Sequence, residues 1–144
     1  DSIVPILDIG DDLELDSEAS ATDLLSQLLR DWVGEFERRG VAGVPRLVIA
    51  EAGNFPELAE EYHRAVLQRA RRLFARVLKR GVRAGEFREV DVRSAVDVLL
   101  APVLYAQIHR AALGTWDADG FGDSFLDAHL NHFLRSIRKE PDNV

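Results

Sequence analysis

Apolar residues recur at spacings of three and four positions from residue 21 onward, which is the repeat of amphipathic helices. The first such stretch predicts a helix from about Ala21 to Arg39. Ser20 and Asp23 suit a capping box at its start, and Gly40 suits its end because glycine adopts the left-handed cap without strain. The apolar stripe of this helix consists of Leu24, Leu25, Leu28, Leu29, Trp32, Val33 and Phe36.

The following stretch predicts a short helix and then a long one. The short helix covers about Val44 to Ala52. Asn54 is expected to cap a long helix from Phe55 to about Arg83, with Pro56 in the first turn, where the missing N–H of proline is harmless. Gly85 is expected to end this helix.

The penultimate helix differs from the others because it has almost no polar face. It is predicted from about Val92 to Leu113, with Asp91 as its cap, and Pro102 inside it is expected to produce a kink. A helix that is apolar all round predicts a core on one side and a partner subunit on the other. A last helix is predicted from about Gly122 to Lys139. No period-two strand pattern occurs, so the predicted fold class is all-α, a helical bundle.

Residues 1–19 differ in composition and are predicted to be a leading segment, with the globular domain at residues 20–144. An apolar patch from Ile3 to Ile9 precedes an acidic connector, and Lys and Arg are absent from Asp1 to Gln27. Arginines dominate between Arg64 and Arg88, either as a solvated helix face or as a basic flank that contacts the acidic start or a partner. The acids of the connector are Asp11, Asp12, Glu14, Asp16 and Glu18.

Composition excludes several classes of protein. The chain has 144 residues, of which 47% are hydrophobic, so one domain with a sizeable core is expected. It contains no cysteine, which excludes disulfides, thiolate metal sites and cysteine nucleophiles. The formal net charge of -7 is the opposite of what a free-standing nucleic-acid-binding protein shows. No leader sequence and no uninterrupted apolar run of about 20 residues occurs, so no membrane association is predicted.

Candidate metal ligands and nucleophiles are sparse. Glu60 and His63 are spaced i, i+3, which is half of a di-iron pattern, but no second Glu-x-x-His occurs. His129 and His132 have the same three-residue spacing and are expected to flank a packed helix face. No Gly-x-Ser-x-Gly and no Gly-rich phosphate loop occurs. The sequence therefore predicts no enzyme, no metal and no cofactor, with a metalloenzyme at Glu60 and His63 as a remote alternative.

Aromatic residues that carry a polar atom indicate a small-molecule site. Trp32, Tyr62 and Tyr105 lie on three different predicted helices, and the polar atom of each needs a partner. Apolar pockets with a few polar anchors are the usual make-up of ligand sites, and this lining favours a hydrophobic or aromatic small molecule. Phe74 is expected to be core instead. The predicted ligand-binding residues are Trp32, Phe36, Tyr62, His63, Val66, Tyr105 and His109.

Two segments carry a resemblance to a known family. The run from Arg46 to Leu58, which ends in Phe-Pro-Glu-Leu, is similar to the segment that joins the second and third helices in effector domains of the tetracycline-repressor (TetR) family. The Arg-Ala-Gly-Glu-Phe-Arg sequence at residues 83–88, followed by Asp91, resembles that family's turn before its dimerising helix. The two apolar closing helices also fit, so the resemblance covers about Ala21 to Lys139.

The resemblance implies a function and an assembly. It implies a cytoplasmic, ligand-responsive transcriptional regulator, expected to be a repressor, in which this chain binds the effector and forms a homodimer through its last two long helices. Operator DNA would be bound by a helix-turn-helix domain that these residues do not contain. A free-standing helical ligand-binding protein and a dimerisation module without ligand are the alternatives. The expected dimer contacts are Leu99, Val103 and Ala106 on one helix and Phe121, Phe125 and Phe133 on the other.

Overall fold

The computed structural model of this chain describes residues 18–141. The predicted apolar patch from Ile3 to Ile9 and the connector acids from Asp11 to Asp16 lie outside these residues. The predicted division of the chain between residues 19 and 20 therefore stays a prediction. The three residues Glu18, Ala19 and Ser20 lead directly into the first helix.

Six α-helices and one π-helical turn make up most of residues 18–141. The turn and the two helices that flank it form one continuous helical rod. No strand occurs in this range, where a single isolated bridge pairs Phe87 with Arg138. The predicted all-α class is confirmed. The elements are α1 (Ala21–Arg38), α2 (Val44–Glu51), α3 (Pro56–Tyr62), the π turn (His63–Leu67), α4 (Gln68–Arg83), α5 (Val92–Leu113) and α6 (Phe125–Ile137).

Local capping residues determine most helix ends. The Ser20 hydroxyl accepts the amide N–H of Asp23 at 3.0 Å, as the predicted capping box requires. Gly40 has a φ of 68°, the left-handed conformation expected of a helix-ending glycine. The predicted cap at Asn54 is wrong by one position, because Phe55 is the N-cap of α3 and Pro56 begins the helix. Proline fixes φ and needs no N–H acceptor, so it starts the helix without a side-chain cap.

The core lies between α1, α4 and α5, and the remaining helices cover it. Helix α4 packs against both α1 and α5. Helix α2 contacts α3 and α5, while α6 contacts α5 and α1. Arg30 of α1 and Asp127 of α6 form an ion pair at the surface of this last contact. Each large apolar side chain stabilises the fold by roughly 1.5–3 kcal/mol when it is buried. The largest fully buried side chains include Phe36, Phe74, Leu25, Leu28, Leu29, Leu78 and Leu99.

The turn after α4 is packed closely against that helix. A Cβ added to Gly81 would lie 2.2 Å from Cδ2 of Phe87, so only glycine fits beneath this ring. The amide N–H of Phe87 also donates to the carbonyl of Gly81 at 3.1 Å. Beyond the turn, the amide N–H of Arg88 donates to the carbonyl of Ile137 at 2.8 Å. The turn thus joins the C-terminal ends of α4 and α6.

Helix α5 spans the predicted range from Val92 to Leu113. Asp91 is its N-cap residue, and the Ser94 hydroxyl, which donates to its carboxylate at 2.7 Å, lowers the pKa of Asp91 below its usual range. Pro102 lies inside the helix, as predicted. By length and by a mean hydropathy of 1.2, α5 is the one described helix that could cross a membrane. That indication is weak, because core helices pass the same test and α5 packs against α2, α4 and α6.

Helix α6 begins three residues later than the pattern predicts, because the preceding loop turns sharply. Phe121 has a φ of 54°, which a non-glycine residue rarely adopts, and Ser124 is the N-cap of the helix. The guanidinium Nε of Arg110 donates to the carbonyl of Phe121 at 2.9 Å and holds this turn. At the other end, Arg138 is extended, with a ψ of 135°, so the helix ends at Ile137.

Candidate functional site

Four of the predicted ligand-binding residues lie in the hydrophobic core. Trp32 and Phe36 of α1 and Val66 of the π turn are buried, and Tyr62 of α3 is only 9% exposed. The ring centroids of Trp32 and Phe36 are 5.0 Å apart, at 72°, and Phe74 of α4 lies 6.0 Å from Trp32 at 83°. Both pairs are edge-to-face, the favoured arrangement of aromatic rings. Trp32, Phe36 and Phe74 therefore form a packed apolar wall, and Phe74 is core as expected.

His63 is placed at the surface, and the π turn is the reason. The amide N–H of Gln68 donates to the carbonyl of His63, five residues earlier, so this turn holds one residue more than an α-helical turn. Ala70 and Phe74 are buried. If the helix before them were regular, residue 63 would be buried too, because it lies seven residues, or about two turns, before Ala70. The extra residue buries Tyr62 instead and leaves His63 exposed. The expectation that His63 lies in the pocket is therefore not supported by its position.

Tyr62 presents a polar atom to this core. Its hydroxyl oxygen is buried and has no hydrogen-bond partner within residues 18–141. Desolvation by burial raises the pKa of Tyr62 to about 12, so the phenol stays neutral at physiological pH. A buried hydroxyl without a partner costs stability, and π turns are frequent at functional sites. Tyr62 is therefore a candidate ligand anchor next to an irregular helical turn.

Gln107 of α5 is a second buried polar group, which the sequence analysis missed. The residue is 7% exposed, and neither the nitrogen nor the oxygen of its side-chain amide has a partner in the described part of the chain. It follows the buried Val103 by four residues and therefore lies on the inward face of the helix. The only indication in the sequence is one uncharged polar residue within an apolar run. Gln107 borders a cleft of about 270 Å³ that is also lined by Glu37, Ala42, Gly43, Arg110 and Ala111.

His109 is buried next to the loop before α6. The residue is 8% exposed, and its Nε2 donates to the Asp117 carboxylate at 2.8 Å. Its Nδ1 is buried without a partner in residues 18–141. The ring lies 4.9 Å from Phe121 and 5.8 Å from Tyr105. His109 thus belongs with aromatic residues of α5 and the following loop rather than with the wall around Trp32.

Tyr105 is half-exposed, at 50%, and opens a row of rings along the contact between α5 and α6. Its ring lies 5.4 Å from Phe121, which lies 4.8 Å from Phe125. The Nε2–H of His129 donates to the carbonyl of Leu99 at 2.7 Å, close to Pro102, and fastens α6 to α5. The structure therefore divides the predicted aromatic set into the buried wall and this aromatic ladder. The ladder consists of Tyr105, His109, Phe121, Phe125, His129 and Phe133.

The residues expected at a dimer interface occupy two different environments. Leu99, Val103, Ala106 and Phe133 are buried within the single chain, so they have little surface to offer a partner. Phe121 and Phe125 are partly exposed. Leu99, Val103 and Ala106 lie on the side of α5 that faces its own core, which the pattern of a helix with apolar residues all round does not reveal. Their role at a subunit interface stays a prediction.

The outward side of α5 carries a separate apolar stripe. Val98 is 60% exposed, and Ala101 and Tyr105 follow it at spacings of three and four, so the three share one face. This stripe lies on α5, which is one of the two helices that the sequence assigns to dimerisation. It is the face of α5 that a second subunit could contact.

The predicted half-patterns for metal binding are not brought together. Glu60 and His63 are both exposed, and His129 is engaged with the backbone of α5 while His132 is exposed. Within residues 18–141, no group of three or more His, Asp or Glu side chains is arranged to hold a metal ion.

Comparison with known proteins places this arrangement in a family. The chain matches the family described as "Tetracyclin repressor-like, C-terminal domain" over residues 15–121, about three quarters of its length. No curated protein and no solved structure matches it. The matched range includes all of α1 to α5, and with them the buried wall, Tyr62, Gln107 and the outward stripe of α5. The resemblance seen in the sequence is confirmed, and the chain belongs to the family of tetracycline repressor-like C-terminal domains.

Proposed function

We propose that this chain is the effector-binding and dimerising domain of a cytoplasmic, ligand-responsive transcriptional regulator. Membership of the family supports a regulatory role in general. Operator DNA would be bound by a helix-turn-helix domain outside residues 1–144. The formal net charge of -7 supports the assignment of DNA binding to another domain, since contacts to DNA phosphates require Lys and Arg.

The observation that carries the ligand-binding part is the buried hydroxyl of Tyr62 in an apolar core, which has no hydrogen-bond partner among the described residues. An unsatisfied buried polar group costs about 1–3 kcal/mol, which a ligand atom in hydrogen-bond reach would recover. Gln107 adds a buried amide whose donor and acceptor have no partner within the part of the chain that the structure describes. A ligand would gain affinity from each of these groups because the protein has already borne the cost of desolvating them.

The core residues of the proposed site indicate the class of effector that it would bind. The rings of Trp32 and Phe36 and the side chain of Val66 offer apolar contact, which favours an aromatic or otherwise hydrophobic molecule. Tyr62 stays neutral because burial raises its pKa to about 12. A neutral donor or acceptor on the ligand suits this site better than a charge, because a buried unpaired charge costs far more than a buried neutral group. The proposed effector is therefore an aromatic compound with a neutral hydrogen-bonding group.

The dimer part of the proposal rests on the outward stripe of α5. Val98, Ala101 and Tyr105 form it, and Phe125 of the aromatic ladder lies on the neighbouring helix. Exposed apolar stripes of this kind are typical of subunit interfaces. The dimer would have one subunit arrangement that binds DNA and another that does not. A ligand would change operator affinity only if it bound one of these two arrangements more tightly than the other.

Thermal unfolding of the chain in the presence of small phenols, aromatic amides and aromatic carboxylates tests the ligand site. We expect neutral phenols or amides to raise Tm more than carboxylates do. Tyr62→Phe and Gln107→Leu should each weaken binding of the best compound about three- to tenfold, because a neutral hydrogen bond contributes about 0.5–1.5 kcal/mol.

His63→Ala provides the matched control, because His63 lies next to Tyr62 in sequence but is exposed. This variant should bind like the wild-type chain. Binding that is unaffected by Tyr62→Phe and Gln107→Leu would contradict the proposed site. Failure of every compound to bind would favour the alternative of a dimerisation module without ligand.

A further inference from the structure

Helix α4 carries a basic groove on its outer side. Arg76, Lys79, Arg80 and Arg83 line it together with Ala84, and it has a volume of about 560 Å³. The opposite side of the same helix is buried through Phe74, Val77, Leu78 and Gly81. Four cations are therefore held within two helical turns by a helix whose orientation the core fixes.

Three of the four cations of the basic groove have no acidic partner among the described residues. Arg76, Lys79 and Arg83 form no ion pair within residues 18–141, whereas Arg71, elsewhere on α4, pairs with Asp97 at 3.1 Å. Like charges four residues apart on a helix repel one another, as Lys79 and Arg83 must. A cluster of this kind attracts an anionic partner, and binding that partner relieves the repulsion.

Ala19, near the N-terminal end of the described residues, lies beside this groove. The guanidinium of Arg80 donates to the carbonyl of Ala19 at 2.8 Å. The eight residues before Ala19, from Asp11 to Glu18, contain five acids and no basic residue. A segment with five acids in eight residues is thus covalently attached at the edge of the basic groove.

We propose that the acidic segment Asp11–Glu18 docks along the basic groove of α4. The groove extends over roughly 10 Å between Arg76 and Arg83. An extended chain spans about 3.3–3.6 Å per residue, so the seven residues between Ala19 and Asp12 are long enough for acids of this segment to reach every cation of the groove. Tethering gives the segment an effective concentration of the order of millimolar, which a separate anion must exceed to compete. Docking would fix the direction in which the preceding residues, and any domain attached to them, leave this domain.

A pair of spin labels measures this docking directly. The chain has no cysteine, so Leu15→Cys provides a unique labelling site in the acidic segment and Ala84→Cys provides one at the basic groove. We expect a narrow distribution of label distances at about 0.1 M salt that broadens at about 1 M, where the Debye length falls from about 10 Å to about 3 Å. The groove variant, which combines Arg76→Gln, Lys79→Gln and Arg83→Gln, should have a broad distribution of label distances at low salt as well.

A matched control removes the same number of charges elsewhere. Arg64→Gln, Arg71→Gln and Arg93→Gln lie outside the groove, and their triple variant should keep the narrow distribution. Cleavage after Glu14 by a glutamate-specific protease gives a second readout, which the groove variant should accelerate about tenfold or more relative to this control.

Two results would overturn the proposal. One is a broad distribution in the wild-type chain that neither salt nor the groove variant alters. The other is binding of a non-specific DNA duplex that the groove variant abolishes while the distance between the labels is unchanged, which would assign the groove to phosphate instead.

Discussion

The carboxylate of Glu86 accepts the backbone N–H of Ala21 at 2.9 Å, although the two residues are 65 positions apart in the sequence. The same carboxylate lies 3.4 Å from the amide nitrogen of Thr22. The Ser20 hydroxyl accepts the amide N–H of Asp23, so the start of α1 is capped both by a local hydroxyl and by a remote carboxylate. The turn after α4 therefore holds the first helix at its N-terminus.

Glu86→Ala removes this remote cap and should lower the free energy of unfolding by about 1–2 kcal/mol, as loss of a helix cap does. Urea denaturation of the purified chain measures the change. Glu89→Ala, a neighbouring exposed acid, is the control and should change it by less than about 0.5 kcal/mol. Equal effects of the two variants would show that the contact of Glu86 with α1 contributes nothing.

Gly81→Ala should destabilise the chain by about 1–3 kcal/mol, because the new methyl group would overlap the ring of Phe87. Gly34→Ala is a matched change within α1, where the added Cβ would meet no side chain of the described residues within 4 Å, apart from its immediate chain neighbours. It should stabilise the chain by about 0.5–1 kcal/mol, because alanine favours helix over glycine. Equilibrium unfolding of both variants tests the pair. A stabilising effect of Gly81→Ala would contradict the packing at this turn.

Tyr62 makes stability depend on alkaline pH. Its folded pKa is about 12 and its ordinary value is 10.0, so the folded state retains the proton more strongly than the unfolded state does. The stability that this contributes is fully present below pH 10 and is lost as pH rises from about 10 toward 12. Tyr62→Phe should remove this part of the pH dependence. Phenolate absorbance of a Tyr105→Phe variant, in which Tyr62 is the remaining tyrosine, measures its titration. A midpoint near 10 would refute the burial argument.

The outward stripe of α5 predicts the effect of a charge at Val98. If the stripe is the subunit interface, Val98→Asp should weaken dimerisation at least about a hundredfold, since a charge buried at an apolar interface is strongly unfavourable. Val98 is largely exposed in the single chain, so the variant should still fold. Light scattering during size-exclusion chromatography gives the mass of the species. Ile49→Asp, at an exposed position of α2, should remain dimeric. The reverse result would move the interface to α2.

Helix positions follow from the sequence because local chemistry determines them. Ser20, Gly40, Pro56 and Gly85 each mark a helix end through their own backbone or side-chain preferences, and the structure agrees at or within one residue of each. The start of α6 is different, because the Phe121 turn depends on Arg110, eleven residues away. Local preference does not report a contact of that range.

The candidate site is less predictable for two physical reasons. Helix α5 is apolar all round, so its pattern does not show whether Leu99 or Val98 faces the core, and it leaves the inward position of Gln107 unnoticed. The phase of α3 depends on the π turn, which no residue type encodes by itself, so His63 and Tyr62 are indistinguishable in the sequence. Both ambiguities concern the rotation of a helix about its axis, which is determined by packing.

The extra residue of the π turn has a consequence for how this chain tolerates deletions. Removing one residue from a regular α-helix rotates everything before it by about 100° and takes a buried face out of the core. Here the deletion of Arg64, an exposed residue of the turn, would instead convert the π turn to an α-helical one and leave Tyr62 facing inward. A shortened form of this domain with an uninterrupted helix in place of α3, the turn and α4 is therefore expected to fold with the same buried residues.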